Sequence, residues 1–277
     1  TATWFGRQLQ SYTKGSTSVS YKYDENGLRT QKTVNGVVHG YYYVGYRLVY
    51  EKLGDEYEYF YCYDADGRLA MVERVIISSG AKGYFFTITN AQGDVIGIRS
   101  TTGAVIARYN YDAFGKLIST TDNSGNTLPS YSFAYQISVR YRGYYYDSET
   151  GLYYLQSRYY DPETGRFLNT DAVDFLGATG TQLSYNAFAY CENDVVNMVD
   201  NMGLIPFGFG VPEEIDRKVP KCNGKYMALK KSTKYKNVAT YLSIRLSKVN
   251  HQAYLYNGYK IMQKGTAIYI YYLLCAN

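Results

Sequence analysis

The stretch Arg140–Phe167 reads RYRGYYYDSETGLYYLQSRYYDPETGRF. It uses one short device twice: tyrosines, an aspartate, a few turn-forming residues and a glycine. Tyr146-Asp147 leads to Gly151, and Tyr160-Asp161 leads to Gly165, 14 residues further on. Tyr favours strands, where its ring packs while its hydroxyl keeps a polar partner. Asp ends a strand by accepting a backbone N–H, and Gly supplies the positive φ that closes the turn. The stretch predicts two β-hairpins in succession.

The same device recurs upstream as Y-x-Y-D-x-x-G. It appears at Tyr21 to Gly27, Tyr61 to Gly67 and Tyr109 to Gly115, each followed closely by a Leu. The Tyr-Asp steps are Tyr23-Asp24, Tyr63-Asp64 and Tyr111-Asp112, so the spacing is 40 and then 48 residues. Alternate tyrosines place both rings on one face of a strand. One hairpin cannot bury such a face alone, so neighbours must join a continuous sheet. Gly40–Tyr50 reads as a further strand, and Tyr84–Ile98 and Ser100–Tyr111 as hairpins at Gln92-Gly93 and Thr102-Gly103. Residues 1–160 therefore read as antiparallel β. The Ala- and Asn-rich stretch Leu183–Val199 is the candidate for a short helix.

Composition agrees with this reading. The chain has 277 residues, 46% hydrophobic and 19% charged, with 36 Tyr, 26 Gly, 5 Pro and 2 His. Such a chain is globular and large enough for a core without disulfides. Cys62, Cys191, Cys222 and Cys275 lie too far apart in sequence for a CxxC zinc or redox motif. No metal and no cofactor is expected. No apolar run approaches the ~20 residues of a membrane span, so no membrane span is expected. The sequence opens in mid-pattern, TATWFGRQLQ, and reads as the C-terminal part of a longer protein. From Ile205 onward twelve Lys and Arg face three Asp and Glu, a net charge of +9, which leaves −4 for residues 1–204. This asymmetry suggests separate units.

The Arg140–Asp171 motif, the three upstream units and the stretch YNAFAYCENDVVNMVD (Tyr185–Asp200) together resemble the Rhs/YD-repeat family and its repeat-associated core domain. The resemblance covers roughly residues 10–204. It implies a mainly β fold with three parts: a YD-repeat sheet over 1–136, a core-domain plug over 137–204, and a variable basic segment over 205–277. In that family the repeats build a hollow shell, and the plug borders a C-terminal segment that is often a toxin with a cognate immunity protein. The implied partners are the upstream YD-repeat shell and an immunity protein for the tail, with nucleic acid as a partner for the tail only. The implied location is secreted or at the cell surface. Several members also cut themselves after a DPxGL motif, using aspartates. Here Asp200-Asn201-Met202-Gly203-Leu204 stands at that place, with Asn201 where Pro belongs, and Val195 replaces a second Pro upstream. The earlier acidic element is Asp171-Ala172-Val173-Asp174. These departures predict that Asp171, Asp174 and Asp200 are a remnant and that no self-cleavage occurs.

Other readings of the same residues are blander. Recurrence of the tyrosines favours a packing ladder over a sugar-binding surface. Arg140, Arg142, Arg158 and Arg166 interleave with Tyr in an acidic region. That favours stacking on rings and pairing with the repeat aspartates over RNA contact. Asp24, Asp64, Asp112, Asp147 and Asp161 lack the alternating ligands of a calcium loop and read as turn caps. Cys191 and Cys222 have no adjacent base and read as structural.

The tail opens with the linker IPFGFGVPEE and continues lysine-rich from Lys218 to Lys236. Thr233–Val249 suggests a helix, and Tyr254–Tyr259 and Thr266–Leu274 suggest strands, so the tail reads as small α+β. Its charge suits phosphate contacts. After Asp216 it has no carboxylate side chain, which disfavours a metal-dependent nuclease and leaves His251 as the candidate acid–base group of a metal-free one. The alternative, from a different class, is a non-enzymatic cell-surface adhesion or wall-associated structural protein.

Overall fold

Twelve antiparallel strands form one meander in which each strand pairs with its neighbours in sequence. In this computed structural model they are Ala2–Phe5 (β1), Gln8–Lys14 (β2), Thr17–Tyr23 (β3), Arg29–Val34 (β4), Val37–Val44 (β5) and Arg47–Leu53 (β6). Tyr57–Tyr63 (β7), Leu69–Ile76 (β8), Lys82–Thr89 (β9), Val95–Arg99 (β10), Val105–Tyr111 (β11) and Leu117–Thr121 (β12) complete it. The structure describes all residues except 65–66, 172–175, 178, 205, 209–254, 257–258, 265–266 and 273–277. Gly40–Tyr50 is not one strand as its composition suggested. Gly45 takes φ +60° and turns the chain between β5 and β6. Asn35 and Gly36, at φ +48° and +89°, make the tight turn between β4 and β5.

A second, four-stranded sheet follows: Tyr145–Asp147 (β13), Leu152–Leu155 (β14), Arg158–Asp161 (β15) and Arg166–Phe167 (β16). All four residues of β14 are buried, so this sheet is covered on both faces. Alternation divides its side chains between two cores. Tyr145, Leu152, Tyr154 and Tyr159 join Tyr21, Tyr41, Leu48, Tyr59 and Tyr61 of the large sheet. Tyr153, Leu155 and Tyr160 face the other way, onto Tyr144, Phe167, Tyr190, Val195 and Val199. The layers are thus the large sheet, the small sheet, and an irregular layer that ends in the short pair Met198–Val199 (β17) and Phe207–Gly208 (β18).

No α-helix occurs among the described residues. The helix expected over Leu183–Val199 is replaced by two 3-10 turns, Leu183–Tyr185 and Cys191–Asn193. Cys191, Glu192 and Asn193 all have positive φ (+48°, +50° and +63°), which interrupts any helical run. The tertiary demand behind this is visible. The Tyr190 ring is buried against Tyr160, with centroids 4.1 Å apart, and the Glu192 carboxylate accepts from the hydroxyls of Thr179 and Thr181.

The chain divides into two compact units, Thr1–Val211 and Pro212–Asn277. Residues 1–136 and 137–204 lie together in the first. In the second, Leu255–Tyr256 (β19), Tyr259–Lys264 (β20) and Ala267–Tyr272 (β21) form a three-stranded antiparallel sheet. The helix expected over Thr233–Val249 lies outside the described residues. No helix among the described residues is long and apolar enough to cross a membrane.

Candidate functional site

The three repeat units build the same turn. The backbone N–H groups of Asp24, Asp64 and Asp112 donate to the carbonyls of Leu28, Arg68 and Lys116, and those of Gly27, Gly67 and Gly115 donate back to the aspartate carbonyls. Each aspartate Oδ1 also accepts the N–H four residues on, at 2.9 Å. Gly27, Gly67 and Gly115 stand at φ +82°, +77° and +88°. The second tyrosine of each unit adds a tie to the preceding strand. Tyr23, Tyr63 and Tyr111 donate their hydroxyls to the carbonyls of Leu9, Leu48 and Val95, at 2.7, 2.9 and 2.9 Å. Asn90 and Asp122 build the same turn with Gly93 and Gly125 but without a preceding Tyr. A search for Tyr-Asp misses them.

In the small sheet the two Tyr-Asp steps part company. Asp161 caps its turn, accepting the N–H of Glu163 at 2.9 Å, with Gly165 donating to the Asp161 carbonyl. Asp147 was expected to do the same and does not. Its turn is closed by the N–H groups of Thr150 and Gly151 on the Asp147 carbonyl, and Asp147 is itself the last residue of β13, after Tyr146. The fully buried Asp147 carboxylate instead reaches the large sheet. It takes a two-pronged contact from Arg29 at 2.5 and 3.1 Å and one from Lys32 at 2.7 Å. Lys32 also meets Glu149 at 2.5 Å. Burial pushes the Asp147 carboxyl up, but the two cations outweigh it and leave it below its ordinary value. The Arg29 guanidinium also lies 4.4–4.9 Å from the rings of Tyr41, Tyr145 and Tyr154. Two strands along, on β6, the buried Glu51 accepts from the hydroxyls of Tyr145 and Tyr61. Burial pushes its carboxyl up, and the phenol bonds offset this only in part.

Arg29, Lys32 and Glu51 were not singled out from the sequence. In β4, RTQKTV, the two buried positions are Arg29 and Lys32, three residues apart, a spacing that strand alternation does not mark in the sequence. A strand with charges at its core-facing positions needs a charged cover.

A second polar cluster grips the chain near the end of the first unit. Arg158 donates to Asp200 at 3.0 Å and pairs with Asp171 at 3.0 Å, both through Nη2. Its Nε donates to the Gly203 carbonyl at 2.5 Å, beside the Ser157 hydroxyl, which reaches the carbonyls of Met202 and Gly203. Asp200 Oδ1 accepts the Leu204 N–H at 2.9 Å. The Gly203–Leu204 peptide is thereby held on both sides. Gly203 has φ +68°, and a Cβ there would lie 2.8 Å from the Leu155 carbonyl. Burial pushes the Asp200 carboxyl up, with Arg158 pulling against it. Both aspartates contact one guanidinium and Asp200 also holds the Leu204 N–H, so the cluster clamps the chain at Gly203–Leu204. Asp174 and His251 lie outside the described residues.

Arg140, Arg142 and Arg158 do lie against rings, but the carboxylates that Arg142 and Arg158 meet are not the repeat aspartates. Arg142 contacts Asp94 and lies over Tyr141, Arg158 lies 3.6 Å from the Phe167 centroid, and Arg140 lies over Tyr146 while donating to backbone carbonyls. Cys191 is buried, and burial pushes its thiol up, away from nucleophilic use. Among the described residues no group of three or more His, Cys, Asp and Glu is placed to hold a metal ion.

The model of the teneurin YD-shell family matches residues 4–196. The chain belongs to that family. Relatives of this YD-shell chain include the tRNA nuclease WapA of Bacillus subtilis (strain 168), 41% identical over 187 residues, which are 66% of this chain and 7% of WapA. The double-stranded DNA deaminase toxin A of Burkholderia cenocepacia (strain H111) is 31% identical over 129 residues, 46% of this chain and 8% of that protein. Among solved structures, TcdB2-TccC3 without its hypervariable C-terminal region aligns with a TM-score of 0.55 at 20% identity, over 73% of this chain and 10% of that one. This YD-shell chain spans less than a tenth of the length of either relative. The likeness to the TcdB2-TccC3 structure is one of fold.

Proposed function

We propose that the chain is the closing part of a toxin-carrying YD shell. The first unit is scaffold and plug, and the basic second unit is the effector it presents. The observation that carries this reading is the clamp of Ser157, Arg158 and Asp200 on Met202–Leu204. It fixes the chain to the scaffold seven residues before the boundary of the two units at Val211. Beyond it the net charge changes sign, and the family match has already ended at residue 196. The names of the relatives, a tRNA nuclease and a DNA deaminase toxin, support a toxin role and a nucleic-acid substrate. The basic tail offers phosphate contacts, and His251 is its candidate acid–base group. This reading brings with it secretion or surface display, an upstream shell as partner and an immunity protein for the tail.

The test is growth of bacteria expressing the full chain or a chain ending at Val211. Killing by the full chain alone, with loss of RNA or DNA integrity and rescue by His251→Ala, supports the reading. Equal growth, with both proteins soluble, overturns it in favour of a structural or adhesive role.

A further inference from the structure

The contacts of Asp147 with Arg29 and Lys32 pin the small sheet to the large one, and this pin has an ionisable neighbour outside the ion pairs. In the antiparallel register His39 of β5 lies directly across from Lys32 of β4 on one side and Leu53 of β6 on the other. It is partly buried, and its Nδ1 is shut away from solvent with no hydrogen-bond partner. The charged groups acting on it are Lys32 and Arg29 from β4 and Asp147 from the small sheet, with Glu149 reached through Lys32 and Glu51 of β6 two cross-strand pairs along. Lys32 holds Asp147 and Glu149 at 2.7 and 2.5 Å.

We propose that His39 makes the seating of the small sheet on the large sheet sensitive to acid. A proton taken up by His39 puts a further positive charge beside Lys32 and Arg29 and competes with them for Asp147, weakening the pin. The cation has no acceptor at its buried nitrogen, so the charged form is not compensated there. Burial, then Lys32, lowers the His39 imidazole to about 4 from its usual 6.5. The unfolded chain therefore takes the proton first. The contribution is complete above about pH 6.5 and is lost as pH falls toward about 4. Glu51 and Asp200 act in the opposite direction, because their raised carboxyls gain stability with acid. The His39 effect is thus read as a difference between variants.

The single tryptophan supplies the probe. Trp4 of β1 packs edge-on against Tyr159 of β15, with centroids 6.4 Å apart, so its fluorescence reports the seam. Urea unfolding of the full chain is compared with His39→Gln at about pH 7 and about pH 5. Acidification is expected to lower the folded-to-unfolded ratio about 10-fold more in the wild type, a figure reduced for the partial exposure of the ring. Equal responses overturn the proposal. Proton NMR of the wild type gives an independent reading, since His39 and His251 are the two histidines and His251→Gln assigns them. A His39 midpoint near 4 supports the proposal, and an ordinary midpoint near 6.5 overturns it.

Discussion

The repeat turns and the hairpin at Asp147 begin from the same Tyr-Asp step and put the carboxylate to opposite uses. At Asp24, Asp64 and Asp112 it satisfies the N–H groups of its own turn, and the turn is complete within five residues. At Asp147 the turn closes without its carboxylate, with the Thr150 hydroxyl bridging it, and the carboxylate neutralises Arg29 and Lys32, more than a hundred residues away. A local cap and a long-range pin have different energetics. The cap exchanges one hydrogen bond for bonds to water, whereas removing the pin strands two buried cations. Motif identity fixes the path of the chain and not the task of the side chain.

The largest effect that sharpens this contrast is expected at the pin. Asp147→Ala should cost about 3–5 kcal/mol, the range for removing one member of a buried ion pair, measured by urea unfolding on Trp4 fluorescence. A loss no larger than that of a cap would erase the distinction. The charge dependence follows from the lowered Asp147 carboxyl. Its stabilisation is present above about pH 4 and is lost below, so the gap between wild type and Asp147→Asn should close as pH falls through that range.

Glycine substitutions come next. Gly115 and Gly125 share φ +88°, but a Cβ at Gly115 would lie 2.4 Å from the Tyr141 ring and one at Gly125 meets nothing within 4 Å. Gly115→Ala is expected to cost about 2–4 kcal/mol and Gly125→Ala about 1–2 kcal/mol. Equal midpoints would mean that the repeat turn at Gly115 does not pack against the Tyr141 ring.

Smaller still is the cap. Asp64→Ala should cost about 1 kcal/mol, less than Gly67→Val, which puts a β-branched residue at φ +77°. Reversal of that order in thermal or urea midpoints would contradict the turn geometry. The smallest expected effect is none: purified full-length chain should keep its intact mass on prolonged incubation. A fragment ending near Leu204, abolished by Asp200→Ala, would make the clamp a self-cleaving site.

What could be read from the sequence was local. The D-x-x-G spacing marks the repeat turns because their hydrogen bonds close within five residues, and Tyr at alternate positions marks strands that bury one face. The tie from Tyr23, Tyr63 and Tyr111 to the previous strand follows from the same repeat. What escaped was set by distant partners. Nothing near Asp147 in sequence names Arg29 or Lys32. Nothing in Leu183–Val199 tells that Tyr190 must reach Tyr160 and so break the helix. The turn at Gly93 is legible as a hairpin, but its kinship with the repeat turns, and that of Asp122, is not: the turn needs an acceptor side chain and a glycine, and the tyrosine belongs to the strand. At the clamp, Asp171 and Asp200 are visible as a pair of aspartates, but the sequence points Arg158 to the repeat aspartates, whereas it joins these two.

The sequential meander has a consequence for the order of events in folding. Each pair of strands in the large sheet closes over a short loop, so the sheet can assemble hairpin by hairpin as the chain is made. Its cover arrives late: Arg29 waits 118 residues for Asp147, and the Arg7 carbonyl waits 162 for the Asn169 amide. Until then the side awaiting its cover is open to water. Arg29, Lys32 and Glu51 keep it wettable, where an all-apolar surface would recruit another chain. The charges that look costly in the finished core protect the half-made one.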